Sequence, residues 1–385
     1  MKIQNRRIPK IRFNRFNSVW EGNRIADIVK ISAGGDVDKE KLKESGKYPV
    51  IANALTNKGI VGFYDDYKVK APAVTVTGRG DVGYAVARHE NFTPVVRLLT
   101  LQSENIDVDY LENQINSMRI LNESTGVPQL TAPQLGNYKV YHPEIDEQSA
   151  IGSLFRTLDD LLASYKDNLT NYQSLKATML SKMFPKAGQT VPEIRLDGFE
   201  GEWKIRKLSE VSEVYDGTHQ TPNYTESGVK FLSVENISTL ESEKYISEED
   251  FEKDFKVFPE FGDVLMTRIG SIGVPNIVKT SEKIAFYVSL ALLKPKKKTN
   301  SLFMKSSIES NPFQEELWKK TLHIAFPKKI NKNDISQSTI KCPSYEEQQA
   351  IGSYFSNLDN LIATHQEKIS QLETLKKKLL QDMFI

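Results

Sequence analysis

Cysteine is almost missing from this chain. Its 385 residues contain one, Cys342, which excludes an intramolecular disulfide, a cysteine-based zinc site and an iron–sulfur cluster. A single thiol suits a reducing cytosol, so a cytoplasmic location is expected. Long hydrophobic runs are missing too. None approaches the roughly 18–20 residues of a membrane span, and no membrane partner is expected. The opening MKIQNRRIPK is positive without an apolar stretch behind it, so no secretory signal is expected there. No G-x-x-x-x-G-K-[ST] loop occurs, which argues against a nucleotide-driven motor. No H-E-x-x-H occurs, and the five histidines, at 89, 142, 219, 323 and 365, are scattered without a metal-binding pattern. An excess of one charge is also lacking: 51 Lys and Arg stand against 50 Asp and Glu. That balance argues against a wholly basic nucleic-acid coat but leaves room for local basic patches.

What is present is a globular composition, 39% hydrophobic and 26% charged, with length for two or three domains. It is written twice. Residues 147–184, EQSAIGSLFRTLDDLLASYKDNLTNYQSLKATMLSKMF, match residues 347–384, EQQAIGSYFSNLDNLIATHQEKISQLETLKKKLLQDMF, at sixteen of thirty-eight positions without a gap. Chance would give about two. IPKIRFNRFNSVW (8–20) pairs with VPEIRLDGFEGEW (191–203), and VTVTGRGDVG (74–83) with VLMTRIGSIG (264–273). Two repeats of this length are too few and too long for a solenoid; they imply two similar domains and two similar helices.

Each repeat has two textures. Residues 17–143 and 200–343 hold short β-branched and aromatic runs such as KYPVIAN, AVTVTG and IAFYVSLALL, broken by Gly, Pro, Asn and Asp; these read as strands and turns. Residues 144–184 and 344–385 carry no proline and one glycine each. In the first, apolar residues fall at Ile151, Phe155, Leu158, Leu162, Tyr165, Leu169 and Tyr172, and in the second Ile351, Phe355, Leu358, Ile362, His365, Ile369 and Leu372 hold the same places. Steps of four and three average 3.5, the seam period of a coiled coil. Thirty-eight helical residues span about 57 Å, longer than a globular core usually needs. The expected fold class is α+β: two similar mixed α/β domains and two long coiled-coil helices, related by an internal duplication. The expected division is 1–143, first domain; 144–185, first helix; 186–343, linker (KAGQTVPE) and second domain; and 344–385, second helix.

GRGDVG (78–83) satisfies G-x-G-x-x-G after a strand-like VTVT. The following YAVAR reads as a strand rather than a helix, no ribose-binding acid follows about 20 residues on, and the second copy, RIGSIG, loses the first glycine. A tight strand–turn–strand is the better reading, one that lets another backbone approach closely. With Arg79 or Arg268 beside it, that backbone is expected to be DNA. NPF (311–313) is one proline short of the N-P-P-[FY] motif of amino-methyltransferases. It reads as a helix start with Asn311 as N-cap and Pro312 at N1. His219 lies in the polar, turn-rich YDGTHQTPNY, either as plain surface loop or as a reader of bases or phosphates. His365 reads as a helix–helix contact. Basic residues gather at Lys2, Arg6, Arg7, Lys10, Arg12 and Arg15, and at Lys294, Lys296, Lys297 and Lys298. They are either solvated surface or contacts to phosphates, which attract without reading sequence.

The layout as a whole resembles the specificity subunit of type I restriction–modification systems. The resemblance rests on P-x-I-R-x-x-x-F-x-x-x-W ahead of each variable region, P-x-x-x-E-Q-x-A-I-G at each junction, L-x-x-M-F closing each helix, and DGTHQTP with VLMTRIGSIG about 50 residues later. SAGGDV in the first domain departs from the second domain's YDGTHQTP. The resemblance implies two target-recognition domains, each reading half of a split, non-palindromic site on double-stranded DNA. It implies two long antiparallel helices, related by a pseudo-twofold, that hold the domains apart and dock two methyltransferase subunits, joined for restriction by two motor–nuclease subunits. The chain itself would be non-catalytic and bind no cofactor, leaving S-adenosylmethionine, ATP and Mg to its partners. The candidate DNA-contacting residues are Thr77, Gly78, Arg79 and Gly80 in the first domain and Thr218, His219, Thr221, Thr267, Arg268 and Ser271 in the second. Three other readings stay open: the specificity subunit of a type IIB-like system, an enzyme built on GRGDVG, and a coiled-coil protein scaffold without DNA contact.

Overall fold

The computed structural model of the chain describes residues 8–118, 120 and 128–385. Contacts divide the chain into two compact units, one of Met1–Asp167 with Glu367–Ile385 and one of Asn168–Gln366. The division falls inside the two longest helices, so each helix contributes to both units.

In the first unit, strands β1 (Lys30–Ala33), β2 (Ala73–Val76), β3 (Ala85–Arg88) and β4 (Leu99–Gln102) form an antiparallel sheet of order β1-β4-β2-β3. Tyr48–Ile51 heads a three-stranded sheet, antiparallel to Ile60–Tyr64 and parallel to Thr93–Pro94. Glu21–Arg24 pairs with Lys139–His142. Helix α1 (Val108–Ser117) covers the four-stranded sheet, and α2 (Ile145–Lys182) follows. In the second unit, β5 (Ser212–Asp216), β6 (Val264–Thr267), β7 (Pro275–Ile277) and β8 (Leu290–Pro295) repeat the order as β5-β8-β6-β7. Val229–Leu232 again has one antiparallel and one parallel neighbour, Tyr245–Ile246 and Ile284–Phe286. Helix α3 (Ser301–Glu309) takes the place of α1, followed by α4 (Asn311–Lys320) and α5 (Tyr345–Asp382). The central β2 and β6 are buried at all four positions, which suits their mostly apolar sequences, AVTV and VLMT. Ser310, not Asn311, is the N-cap of α4: Ser310 keeps extended dihedrals while Asn311 is already helical, which shifts Pro312 one place into the first turn.

The repeated motifs turn out to be fasteners. Arg12 Nε and Nη2 donate to Glu147 Oε1 and Oε2, each at 2.6 Å, and Arg195 does the same to Glu347 at 2.8 and 2.7 Å. Both carboxylates are buried, and the two-pronged geometry is the strong form of this interaction. Gln148 Oε1 accepts from the Asp107 amide and Gln348 Oε1 from the Asn300 amide, each at 3.1 Å. Asp107 and Asn300 are in turn the N-caps of α1 and α3, accepting from Tyr110 N at 2.9 Å and Phe303 N at 3.0 Å. Gly152 and Gly352 let the long helices lie against these caps. A Cβ on Gly152 would stand 2.5 Å from Asp107 Oδ1, and one on Gly352 2.7 Å from Phe303 N. Trp20 and Trp203 are buried beside these joints.

Each unit is also closed by the end of the helix that began in the other repeat. Phe384 sits 5.5 Å from the Tyr110 ring and 5.6 Å from the Phe155 ring. Phe184 sits about 6 Å from Trp203, Phe303 and Phe355. Within the first unit the helices run antiparallel, with Asp159 bound to Lys376 at 2.5 Å and Lys166 to Glu373 at 2.7 Å. Within the second they do the same: the Tyr172 and His365 rings meet edge to face at 5.1 Å, and Lys176 binds Asp359 at 2.6 Å. Ile151, Phe155, Leu158, Leu162, Ile351, Phe355, Leu358 and Ile369 are buried, while Tyr165, Leu169, Ile362 and His365 are half-buried.

Candidate nucleic-acid interface

The edge that carries the glycine turns is built identically in both units. After β2, Thr77 N donates to Tyr84 O at 3.0 Å, its Oγ1 accepts from Tyr84 N at 3.0 Å, and its carbonyl accepts from Gly83 N at 2.8 Å. After β6, Thr267 holds Val274 and Gly273 in the same way. Gly80, Gly83, Gly270 and Gly273 all have φ between 78° and 88°, the left-handed region where a side chain is strained. The turns are therefore strand–turn–strand, with β3 and β7 returning antiparallel. A later segment seals each turn: Leu130 N donates to Gly78 O and Gly80 N to Pro128 O, while Ile330 N donates to Arg268 O and Gly270 N to Lys328 O.

Residues expected to meet DNA divide sharply on this edge. Thr77, Gly78, Thr267 and Arg268 are buried. The two threonines spend their hydroxyls on the turn, and the Gly78 amide donates to Asn53 Oδ1 at 2.8 Å. Arg268 is a correction to the expectation. Its Nη1 is ion-paired with Asp216 and its Nε donates to Ile330 O at 3.1 Å, so it ties β5 and the sealing segment to the turn instead of facing outward. Nor do Arg79 and Arg268 hold matching places: the shared threonines put Gly78 opposite Arg268 and Arg79 opposite Ile269. Arg79, Gly80, His219, Thr221 and Ser271 are exposed, and Thr218 half-exposed. His219 Nε2 lies 3.9 Å from Asp216 Oδ2, which places the DGTHQ loop beside the turn through the Arg268–Asp216 pair.

SAGGDV and YDGTHQTP differ in residues but occupy the same crossing. A Cβ on Gly34 would stand 2.0 Å from Val95 O, and one on Gly217 2.3 Å from Phe286 O. Each glycine is thus fixed by a backbone passing directly beneath it. The expected phosphate-binding clusters are partly spent inside the fold. Lys294 binds Glu260 and Asp263 at 2.7 and 2.6 Å, Lys296 donates to Ser209 O, Lys10 pairs with Asp382, and Arg12 holds Glu147. Lys297 and Lys298 pair with no described carboxylate; Lys2, Arg6 and Arg7 lie outside the described residues. Burial pushes the Cys342 thiol up to about 11, which leaves it protonated and unreactive at neutral pH.

Sequence reasoning passed over two features. One is the Arg12–Glu147 and Arg195–Glu347 pair, whose signal was coincidence of both members in the repeats. The other is the segment following α4, where Ile324 and Phe326 are wholly exposed; its signal was large apolar residues set among lysines. Among the described residues no cluster of His, Cys, Asp and Glu suits a metal ion, and no helix is long and apolar enough to cross a membrane.

A chain that carries one recognition fold twice, with one framework and two different outer edges, is a two-headed recognition protein. The family model of the type I restriction modification DNA specificity domain matches residues 17–171 and again 200–374, and the chain belongs to that family. It is 22% identical over 397 residues to the type I restriction enzyme MjaVIII specificity subunit of Methanocaldococcus jannaschii, covering 94% of this chain and 91% of that one. A putative type I specificity subunit of Mycoplasma pneumoniae is 27% identical over 143 residues, 36% of this chain and 39% of the relative. The crystal structure of a type I restriction–modification S subunit from M. genitalium superimposes with a TM-score of 0.70 at 16% identity, over 98% of this chain and 99% of that one. A structure describing complex assembly of the type I system aligns at a TM-score of 0.51, also at 16% identity, over 94% and 96%.

Proposed function

We propose that this chain reads a bipartite, non-palindromic DNA target for a type I restriction–modification complex and transfers no methyl group itself. The single observation carrying this reading is the contrast between the two edges. One framework presents Arg79 beside Gly80 in the first unit and Ser271 with the Thr218–Thr221 loop in the second. Two unlike edges select two unlike half-sites, read at base edges in the grooves. Two methyltransferase subunits dock on the long helices, and two motor–nuclease subunits join for restriction. S-adenosylmethionine, ATP and Mg belong to those partners; the N-P-P-[FY] motif missing here supports that division. The test is to map methylated adenines in DNA exposed to the complex assembled with its methyltransferase subunit. The expected result is two different half-sites at a fixed gap, with no incorporation by the chain alone. Turnover without a partner, or a target reduced to one half-site, would overturn the reading.

A further inference from the structure

The segment between α4 and the stretch that seals the glycine turn presents two large apolar side chains to water. Ile324 and Phe326 are 100% and 103% exposed, and neighbouring Trp318 is 65% exposed. Leaving an isoleucine and a phenylalanine fully in water is costly, and a folded chain that does so three residues from the bridge between Lys329 and Ile269 of the glycine turn has them positioned for an occupant. The tip is held rather than loose at its base. Leu322 N donates to Lys329 O at 2.8 Å, the His323 ring packs on Trp318 with centroids 4.5 Å apart, and His323 Nε2 lies 2.9 Å from Trp318 O. The same base is tied to the glycine turn by Gly270 N donating to Lys328 O at 2.8 Å. The apolar tip therefore projects from the candidate DNA edge itself.

Charge decides what fits there. Lys319, Lys328 and Lys329 flank the tip, and none forms an ion pair with a described residue, whereas many other lysines of this unit do. Free cations around an apolar wedge complement a polyanion that can open an apolar slot. A DNA base step is such a slot: stacked bases sit between phosphates, and inserted Phe or Ile side chains partly unstack them and kink the duplex. Ahead of Pro128 in the first domain the sequence reads LNESTGV (121–127), without an aromatic residue, and Arg119 precedes it.

We propose that Phe326, with Ile324, wedges into a base step at the half-site read by the second domain, while Lys319, Lys328 and Lys329 hold the adjoining phosphates. The chain then distorts its target on one side only, and sensitivity to DNA deformability adds to the specificity of that half-site. This inference rests on the DNA-reading function proposed above.

The experiment uses the complex assembled with its methyltransferase subunit on a duplex carrying the mapped target. Bending is read by energy transfer between dyes at the duplex ends, and unstacking by permanganate reactivity of thymines. The expected result is a bend centred on one half-site that is lost in Phe326→Ala and Ile324→Ala, kept in Phe326→Leu, and accompanied by about tenfold weaker binding in the alanine variants. Both side chains are fully exposed, so the variants fold. Specific binding to a straight duplex, or a bend unchanged in both alanine variants, overturns the wedge and leaves the proposed function standing. Loss of the methyltransferase subunit from the purified Phe326→Ala complex assigns the tip to a protein partner and likewise overturns it. Failure of the complex to select any sequence removes both.

Discussion

The two units keep one skeleton and differ where the skeleton meets solvent. Arg12–Glu147 and Arg195–Glu347, Gln148 and Gln348, and Gly152 and Gly352 make the same joints in the same geometry. Beyond those joints the copies diverge. The first turn carries Gly78 and an exposed Arg79; the second carries an internal Arg268 neutralised by Asp216. Counting from the paired N-caps, Glu112 of α1 stands where α3 has Lys305. Lys305 completes a balanced set, joined to Glu309 and Asp359 alongside Lys176. Glu112 instead faces Asp159 and Asp109 with Lys376 as the opposing charge, and burial first, then these carboxylates, lift it to about 7. The lesson is that joints tolerate little because both partners are buried and interlocked, whereas edge residues change without cost to the core.

The strongest test breaks the joint on each side. Glu147→Ala or Glu347→Ala leaves a guanidinium without its carboxylate in a largely dry joint, at a cost of about 3–5 kcal/mol to the affected unit. Hydrogen exchange resolves the units separately, and the two variants are expected to lose similar protection, each in its own unit. Unequal losses would show that the joints are alike in geometry but not in energy.

Next comes pH, which separates the units by Glu112. Its carboxyl titrates near 7 when folded, against a reference value of 4.5. Between those values the native state holds a proton that the unfolded chain has released, so stability falls as pH rises from about 4.5 to about 7 and is flat beyond. The total is on the order of 3 kcal/mol. Denaturant unfolding of the first unit at pH 5 and pH 8 is expected to show this fall, and Glu112→Gln to abolish it.

A smaller contrast concerns the arginines. Arg268→Ala strands Asp216 and the Ile330 carbonyl and is expected to cost about 2 kcal/mol of stability in the second unit. Arg79→Ala is expected to change stability by less than about 0.5 kcal/mol. It should instead lower DNA affinity of the assembled complex, by about 1–3 kcal/mol with relaxed specificity if it reads a base. If it holds a phosphate, the loss is even across sequences and the salt slope drops by about one. Wild-type affinity in Arg79→Ala would remove that residue from the interface. Smallest is the pair of helix caps: Asp107→Ala and Asn300→Ala each remove the bond to the amide three residues on and are expected to cost about 1 kcal/mol, read as a shift in thermal midpoint.

Much of this frame was legible in the residues. The 3.5 period located α2 and α5, because a seam buried along one stripe must repeat at the helix pitch. The lost glycine of RIGSIG and the strand-like YAVAR disposed of a nucleotide loop, and the structure has a hairpin there. The site was harder to read because a polar side chain near a turn has two destinations. Arg268 and Arg79 look alike in sequence, and Asp216 and the Ile330 carbonyl, fifty-two and sixty-two residues away in the chain, draw Arg268 inward. Lys294 and Arg12 were ambiguous for the same reason, their partners being distant in sequence. The tip at Ile324 and Phe326 escaped notice because an apolar pair within a loop reads by default as buried.

The ion pairs along the long helices also carry a genealogy. Asp159 and Asp359 are counterparts in the repeats, as are Lys176 and Lys376, yet Asp159 binds Lys376 and Asp359 binds Lys176. Each copy's acid takes the other copy's base, which is the signature of an isologous interface, where residue i meets j and j meets i. A half-length ancestor with one such acid and one such base could have met its twin through this bond made twice. A symmetric pair of that kind faces an inverted repeat. With both halves joined in one chain, each is free to drift without the other, and that freedom is what would let the proposed target have two unrelated arms.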